Sequence, residues 1–339
     1  MGTTETWHEV GQRQLVFDRS LGFFATAVSM TSSAALRKLV VAHRYSLRLT
    51  MFDLDAPDGT PAQDIFRAHF ADVQQPFGYI HHMHARFLEN DPRNLLVVAW
   101  SVLDRSGLQL FDVLTGTVVE TLPMDVGRGH ILDMAMAVTE RCIALQVELT
   151  AGLGTIVTMM FREDAAGRWC RTLHATVVRP ATWYANWLSF QTPRAHEPSC
   201  LLELNMCIKG GLHLSGTDLP PRPLAMDGDA IMVTDSHDPE LVQVTGQDVV
   251  LVFLGSQLLT VDPAATLDAE GRLTATVAHT FESTLMGGAT YVPGYGLLVL
   301  STTEDPMADP CCATLHHLLR STMTPARCTW MRACVRRAR

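Results

Sequence analysis

Three imidazoles fall within the four residues 81–84, and their spacing could serve metal chemistry. On a β-strand the two-residue period puts His82 and His84 on one face and the first histidine on the other. Two imidazoles on one face supply part of a zinc site, and a catalytic zinc site needs three protein ligands and an open position. His130 and Asp133, on a later predicted strand, are candidates for the third ligand. Solvated polar side chains explain the same residues without a metal.

Two acidic segments could instead bind calcium through oxygen atoms. They are Asp227-Gly228-Asp229 and Asp235-Ser236-His237-Asp238, and neither is part of a twelve-residue EF-hand loop. Aspartate and glycine are also the usual residues of tight turns. We therefore predict no cofactor, with zinc or calcium as the alternative.

Aromatic side chains form a third candidate site. Trp183 and Trp187 flank Asn186 on a predicted strand, where a period of two places both tryptophans on one face. Tryptophan is enriched at the centre of binding interfaces, but packing between neighbouring sheets explains the cluster equally simply. Other catalytic patterns are absent from the sequence, which has neither a Gly-x-Ser-x-Gly elbow nor a Walker-type phosphate loop.

The elements that would position these residues are short apolar strands separated by turn residues. Strongly apolar runs recur about every 51 residues, since 257 residues span the five intervals from the first run to the last. Their centres are Val40, Val97, Ile143, Leu201, Val250 and Leu297. Four strands of about five to six residues with their turns fill one interval, as in a propeller blade. We predict an all-β protein, a β-propeller of six four-stranded blades. A seven-bladed ring that uses the tail and a pair of β-sandwiches are the alternatives.

Composition divides the chain into a body and a tail. Residues 1–308 hold the predicted propeller, and Gln14–Asp18 is the candidate strand that closes its ring. Residues 309–339 contain six arginines and one acid, which gives them a net charge of +5. Because the whole chain has a net charge of −9, residues 1–308 carry −14. We expect this Cys/Arg-rich tail to be poorly ordered or to form a short helix around Leu315, Leu318 and Leu319.

One segment resembles a known repeat family. Residues 108–116, Leu-Gln-Leu-Phe-Asp-Val-Leu-Thr-Gly, look like the end of a WD40 repeat with Phe111 in place of the usual tryptophan. Thirteen residues later, Gly129-His130 and then Asp133 fall where such repeats place their Gly-His pair. Weaker echoes are residues 49–53 and 258–262. The chain is similar to degenerate WD40-like or NHL-like propellers, with the convincing resemblance limited to residues 108–145.

The resemblance implies that the first strand of each blade lines a central channel. His82, His84, His130, Asp133, Trp183, Asn186 and Trp187 would then lie in the channel or on a face of the ring. Propeller hydrolases of the lactonase type gather a Glu, an Asn and an Asp around one metal at the channel mouth. Glu203, Asn186 and Asp133 are available for such a set, although no motif aligns them.

Charge and hydropathy exclude several function classes. The acidic body would repel a phosphate backbone, so we expect no nucleic-acid binding by it. The apolar stretch Leu21–Met30 is too short to span a bilayer, and the polar N-terminus has no signal-peptide core. Body cysteines such as Cys142 sit in apolar runs and lack the dense spacing of a secreted disulfide scaffold. We expect a cytoplasmic protein that does not associate with membranes.

The favoured function is a non-catalytic protein–protein interaction scaffold whose partners are other proteins. Rigid blades would present loops on the faces of the ring, and binding residues commonly lie on loops held by a rigid frame. The alternative is a metal-dependent propeller hydrolase with its site at the channel mouth.

Overall fold

The computed structural model describes most of the chain, in seventeen stretches. These are residues 7–17, 27–43, 47–67, 81–88, 91–102, 105–127, 130–149, 155–178, 183–191, 200–207, 210–216, 219–233, 240–242, 249–282, 288–292, 295–302 and 312–320. Within them the chain forms 25 strands and no helix. No helical segment there has the length and hydropathy that crossing a bilayer requires.

The strands form six consecutive units of four antiparallel strands, which we call blades 1 to 6 in chain order, and a short parallel pairing joins blades 4 and 5 into one nine-stranded sheet. Blade 1 consists of β2 (Ala27–Ser33), β3 (Lys38–His43), β4 (Arg48–Asp53) and β5 (Gln63–Arg67). Blade 2 consists of β6 (His81–Phe87), β7 (Leu95–Val102), β8 (Arg105–Asp112) and β9 (Thr117–Leu122). Blade 3 consists of β10 (Ile131–Val138), β11 (Cys142–Leu149), β12 (Thr155–Glu163) and β13 (Trp169–Val178).

The second half of the chain repeats this arrangement. Blade 4 consists of β14 (Trp183–Gln191), β15 (Cys200–Cys207), β16 (Leu212–Gly216) and β17 (Arg222–Met226), with the short β18 (Asp229–Ala230) against β17. Blade 5 consists of β19 (Glu240–Val242), β20 (Val250–Leu254), β21 (Gln257–Val261) and β22 (Leu273–Thr280). Blade 6 consists of β23 (Ala289–Val292), β24 (Gly296–Thr302), β25 (Cys312–Arg320) and the N-terminal strand β1 (Trp7–Val16).

The six blades form a closed ring. The first strand of every blade contacts the first strand of the next, and β23 of blade 6 contacts β2 of blade 1. The ends of the chain meet in blade 6, where β1 pairs with β25 from Trp7↔Arg320 to Val16↔Cys312. The predicted all-β fold with six four-stranded blades is confirmed, and the described strands form neither a seventh blade nor two facing layers.

Strand order within a blade follows the apolar pattern of the sequence. All six predicted centres, from Val40 to Leu297, lie in the second strand of their blade, which is covered on both faces. The two weaker echoes end at Asp53 and Asp262, and the WD40-like segment 108–116 contains Asp112. Each of these aspartates closes or directly follows a third strand. Each carboxylate accepts a hydrogen bond from the backbone N–H two residues later, at 2.8–2.9 Å. This turn ends the third strand and leads to the fourth.

The prediction of a tail from residue 309 is wrong for residues 312–320. These residues form β25, which is hydrogen-bonded to β24 on one side and to β1 on the other. The leucine spacing that suggested a helix is overridden because the strand completes the sheet from inside, where both of its edges are paired. Residues 321–339 lie outside the described residues.

Candidate functional site

The structure brings His82 and Asp133 together across the seam between blades 2 and 3. His82 lies near the start of β6 and is 1% exposed, and Asp133 lies near the start of β10. The His82 Nδ1 and Asp133 Oδ1 atoms are 3.8 Å apart. A bulge between Ile131 and Asp133 shifts the register of β10 at this point. Bulges re-aim side chains, and they recur beside functional sites.

The other two predicted ligands differ from this pair. His84 follows on the same face of β6 as His82 and is half-buried. His130 is exposed and directly precedes β10 instead of lying on it. Among the residues described above, no three His, Cys, Asp or Glu side chains converge where they could hold a metal ion. The pair alone supplies fewer ligands than a zinc site needs.

The predicted aromatic site lies on β14, for which the structure gives backbone pairing only. Trp183 pairs with Cys207, Asn186 with Asn205 and Trp187 with Leu204. A bulge between Tyr184 and Asn186 interrupts the backbone register between the two tryptophans, and the predicted shared face stays a prediction. The side chains of β14 lie outside the described residues.

Polar side chains on the neighbouring second strands form a pair that the sequence analysis did not single out. Gln146 of β11 is 3% exposed, and its Nε2 donates to Glu203 Oε1 of β15 at 2.5 Å across blades 3 and 4. Gln146 Oε1 is buried and accepts no hydrogen bond within the described part of the chain. Two residues along β15, Asn205 Nδ2 donates to Ser215 Oγ at 3.0 Å. Glu203, proposed above as a metal ligand, is therefore engaged by an amide.

The alternation of β11 was a signal for this pair. Ile143, Leu145 and Val147 face blade 2, whereas Ala144 and Gln146 alternate with them and face blade 4. A glutamine within an apolar strand marks a face that meets a polar neighbour.

The predicted calcium segment at 227–229 forms a tight turn. Asp227 and Gly228 have φ values of 52° and 89°, and Met226 pairs with Asp229 across them. Two central residues with positive φ define the type I′ hairpin, for which Asp-Gly is a preferred pair. The segment 235–238 lies outside the described residues.

A second polar chain joins β24, β25 and β1 in blade 6. His316 Nε2 lies 2.7 Å from Ser301 Oγ, and His316 Nδ1 lies 3.3 Å from Glu9 Oε1. The order Ser–His–Glu matches that of a nucleophile, its base and an orienting acid. Ser301 and His316 are only 3% and 6% exposed, so this chain ties β1, β25 and β24 together and does not present a nucleophile to substrate. No sequence signal could have found it, since Glu9 and His316 are joined only by ring closure.

Exposed apolar side chains concentrate on the outer strands of blades 2 and 3. Seven large apolar residues are strongly exposed among the described ones, and five of them lie here. They are Leu114, Val118 and Val119 around β9 and Leu173 and Val177 on β13, with exposures from 41% to 68%. His174 of β13 hydrogen-bonds the Asp125 carbonyl oxygen at 2.9 Å, which links β13 to the segment after β9. β9 and β13 are thus neighbouring outer strands of the ring, and we call the rim that they form, with both of its faces, the outer surface of blades 2 and 3.

No family model matches the chain, and no curated protein matches it. Solved structures with a similar fold do match the chain. The Penicillium chrysogenum α-L-arabinanase complexed with arabinobiose has a TM-score of 0.56 and 12% identity, covering 93% of this chain and 98% of the other. A member of the DUF4221 family from Bacteroides vulgatus has a TM-score of 0.50 and 10% identity, covering 95% and 99%.

The chain has a β-propeller fold. Its similarity to these two structures extends over nearly the whole chain, and it matches the ring of four-stranded sheets described above. Identities of 10–12% establish the fold alone. Fold similarity does not assign a function, which must be argued from the site.

Proposed function

We propose that this propeller is a non-catalytic scaffold that binds other proteins through the outer surface of blades 2 and 3. One observation carries the proposal: five of the seven strongly exposed large apolar residues among the described ones lie on that surface. Exposed apolar patches rimmed by polar residues mark protein interaction sites. The rigid ring supplies the frame, and the WD40-like or NHL-like resemblance fits a protein of this type.

We expect the scaffold to be cytoplasmic, because cysteines stay reduced as free thiols in that compartment. Cys142 and Cys170 are free thiols. Burial raises the pKa of the Cys142 thiol, against the smaller opposing influence of Arg162. A protonated thiol is a poor nucleophile, so Cys142 is a structural residue.

Site-specific photocrosslinking tests the scaffold function in the cells that make the protein. A photoreactive amino acid in place of Val119 or Leu173 should give discrete protein adducts. The same amino acid in place of Val277, an exposed valine on the outer strand β22 of blade 5, is the matched control and should give none. Adducts only from Val277, or from none of the three positions, would contradict the proposed surface.

A metal-dependent hydrolase is the second candidate, favoured by the His82–Asp133 pair at the start of β6 and β10. Elemental analysis of the purified protein separates it from the scaffold. Stoichiometric zinc or calcium that is lost in both His82→Ala and Asp133→Ala would support the hydrolase. Metal-free protein that still gives crosslinks from Leu173 would eliminate it.

A further inference from the structure

The outer edge of blade 3 is long and unpaired within the described chain. β13 spans ten residues and pairs only with β12, whereas the outer strands β5, β9 and β22 span five, six and eight residues, and β1 is as long as β13. At about 3.3 Å per residue, the edge is about 30 Å long. Along such an edge, alternate residues point their N–H and C=O groups away from the sheet. An edge of this kind is a template for another strand.

The two faces of β13 differ in chemistry. Leu173, Ala175 and Val177 lie across from Met160, Thr158 and Ile156, on the face toward blade 4. Leu173 and Val177 are 41% and 52% exposed. The other face carries Arg171, His174 and Thr176, because the register shift at Thr172 separates Arg171 from the apolar row. A strand added here would meet an apolar row on one face and a polar, basic row on the other.

The charge of this edge is opposite to that of the whole protein. β13 contains Arg171 and no acidic residue, in a chain of net charge −9. Arg171 is exposed, and no carboxylate of the described residues pairs with it. Nearby Arg168 is neutralised by Asp164 at 2.8 Å, so Arg171 supplies the unbalanced charge.

We propose that β13 receives an extended segment of a partner protein as an added strand, in which apolar residues alternate with acidic ones. The inference rests on the proposed scaffold function and names its partner class. Apolar side chains of the segment would cover Leu173 and Val177, and a carboxylate on the opposite face would pair with Arg171. Main-chain hydrogen bonds provide affinity in this mode of binding, and the alternating side chains provide specificity.

A second copy of this chain is a poorer occupant of the edge. Pairing of two β13 strands would bring together two Arg171 side chains and no acid. Charge complementarity therefore favours an acidic segment of another protein.

Two labelled ten-residue peptides test the proposal with the full-length protein, by fluorescence anisotropy. One alternates valine with glutamate, and the other alternates valine with lysine. The glutamate peptide should bind at least tenfold more tightly than the lysine peptide. Arg171→Glu should weaken the glutamate peptide at least tenfold and favour the lysine peptide, and Thr176→Pro should weaken both. Val277→Lys on β22, the matched control outside this surface, should leave both affinities unchanged.

Several results would overturn strand addition at β13. They are equal binding of the two peptides, an Arg171→Glu variant with unchanged preference, or a dimer in sedimentation that Thr176→Pro abolishes. Arg171→Gln, which removes the charge without reversing it, replaces Arg171→Glu if that variant does not fold. If the peptides fail while Leu173 still crosslinks a partner, only the strand-addition mode falls. If neither peptide binds and Leu173 gives no crosslink, the scaffold function is contradicted as well.

Discussion

The two faces of blade 3 are built differently although they belong to the same four strands. The face toward blade 2 contributes to a cluster of nineteen buried apolar residues that includes Leu145 and Phe161. Among the described residues, the face toward blade 4 buries a cluster of three alanines and then turns polar at Gln146. Its outer part leaves Leu173 and Val177 exposed.

This difference separates stability from binding within one sheet. Hydrophobic burial stabilises a fold in proportion to the apolar area removed from water, so the seam with blade 2 holds blade 3 in the ring. The described part of the seam with blade 4 buries fewer apolar side chains and contains the Gln146–Glu203 hydrogen bond. We infer that blade 3 is anchored on one face and free to bind on the other.

The largest expected effect is at the apolar seam. Leu145→Ala removes a fully buried side chain and should lower the free energy of unfolding by about 3 kcal/mol, through lost burial and the cavity left behind. Urea unfolding measures it, with Leu173→Ala on the other face as the control of the same chemistry. Equal losses for the two variants would break the comparison between the faces.

The polar seam should respond less. Gln146→Met leaves the half-buried Glu203 carboxylate with one hydrogen bond fewer, at a cost of about 1 kcal/mol. Replacing both residues by methionine should cost less than the sum of the two single variants, which a double-mutant cycle detects. Strict additivity would show that the 2.5 Å contact contributes nothing to the seam.

A buried histidine in blade 6 makes the stability of the ring depend on pH. Burial lowers the pKa of His317 below its ordinary value of 6.5, against the opposing hydrogen bond to the Tyr295 carbonyl oxygen. The unfolded chain therefore binds the proton more readily. The contribution of His317 to stability is complete above pH 6.5 and is lost as the pH falls through the lower folded-state pKa.

Chemical unfolding between pH 5 and pH 8 measures this contribution. His317→Gln, which retains a donor without a titrating ring, should make the decline in stability below about pH 6.5 shallower. An unchanged acid limb would mean that other groups account for the pH dependence.

The smallest effect is expected on the exposed face. Val177→Lys replaces a half-exposed side chain and should change stability by less than about 0.5 kcal/mol. Thermal unfolding measures it. A loss comparable to that of Leu145→Ala would mean that Val177 is part of the core, and the proposed binding surface would not exist.

The sequence predicted the ring better than the site, for a physical reason. Local signals determine the blades: apolar second strands recur with a regular period, and aspartate turns follow third strands at Asp53, Asp112 and Asp262. The site depends on which faces meet after closure. The period of two placed His82 and His84 on one face, but it could not show that Asp133 faces His82 or that Glu203 meets Gln146.

Two features of the structure were missed for a different reason. Residues 312–320 looked like part of a basic tail because their neighbours are rich in arginine, and only pairing with β1 and β24 makes them a strand. The bulge in β14 between Tyr184 and Asn186 has no mark in the local sequence. Long-range pairing and single-residue bulges both lie beyond periodicity.

Hydrogen exchange of the full chain with and without the alternating valine–glutamate peptide tests the central claim most directly. We expect slower exchange of the backbone amides of residues 169–178, little change in β9, and none in β6 or β10. Slowed exchange at the starts of β6 and β10 with no change in residues 169–178 would place the binding site in the channel and contradict the account.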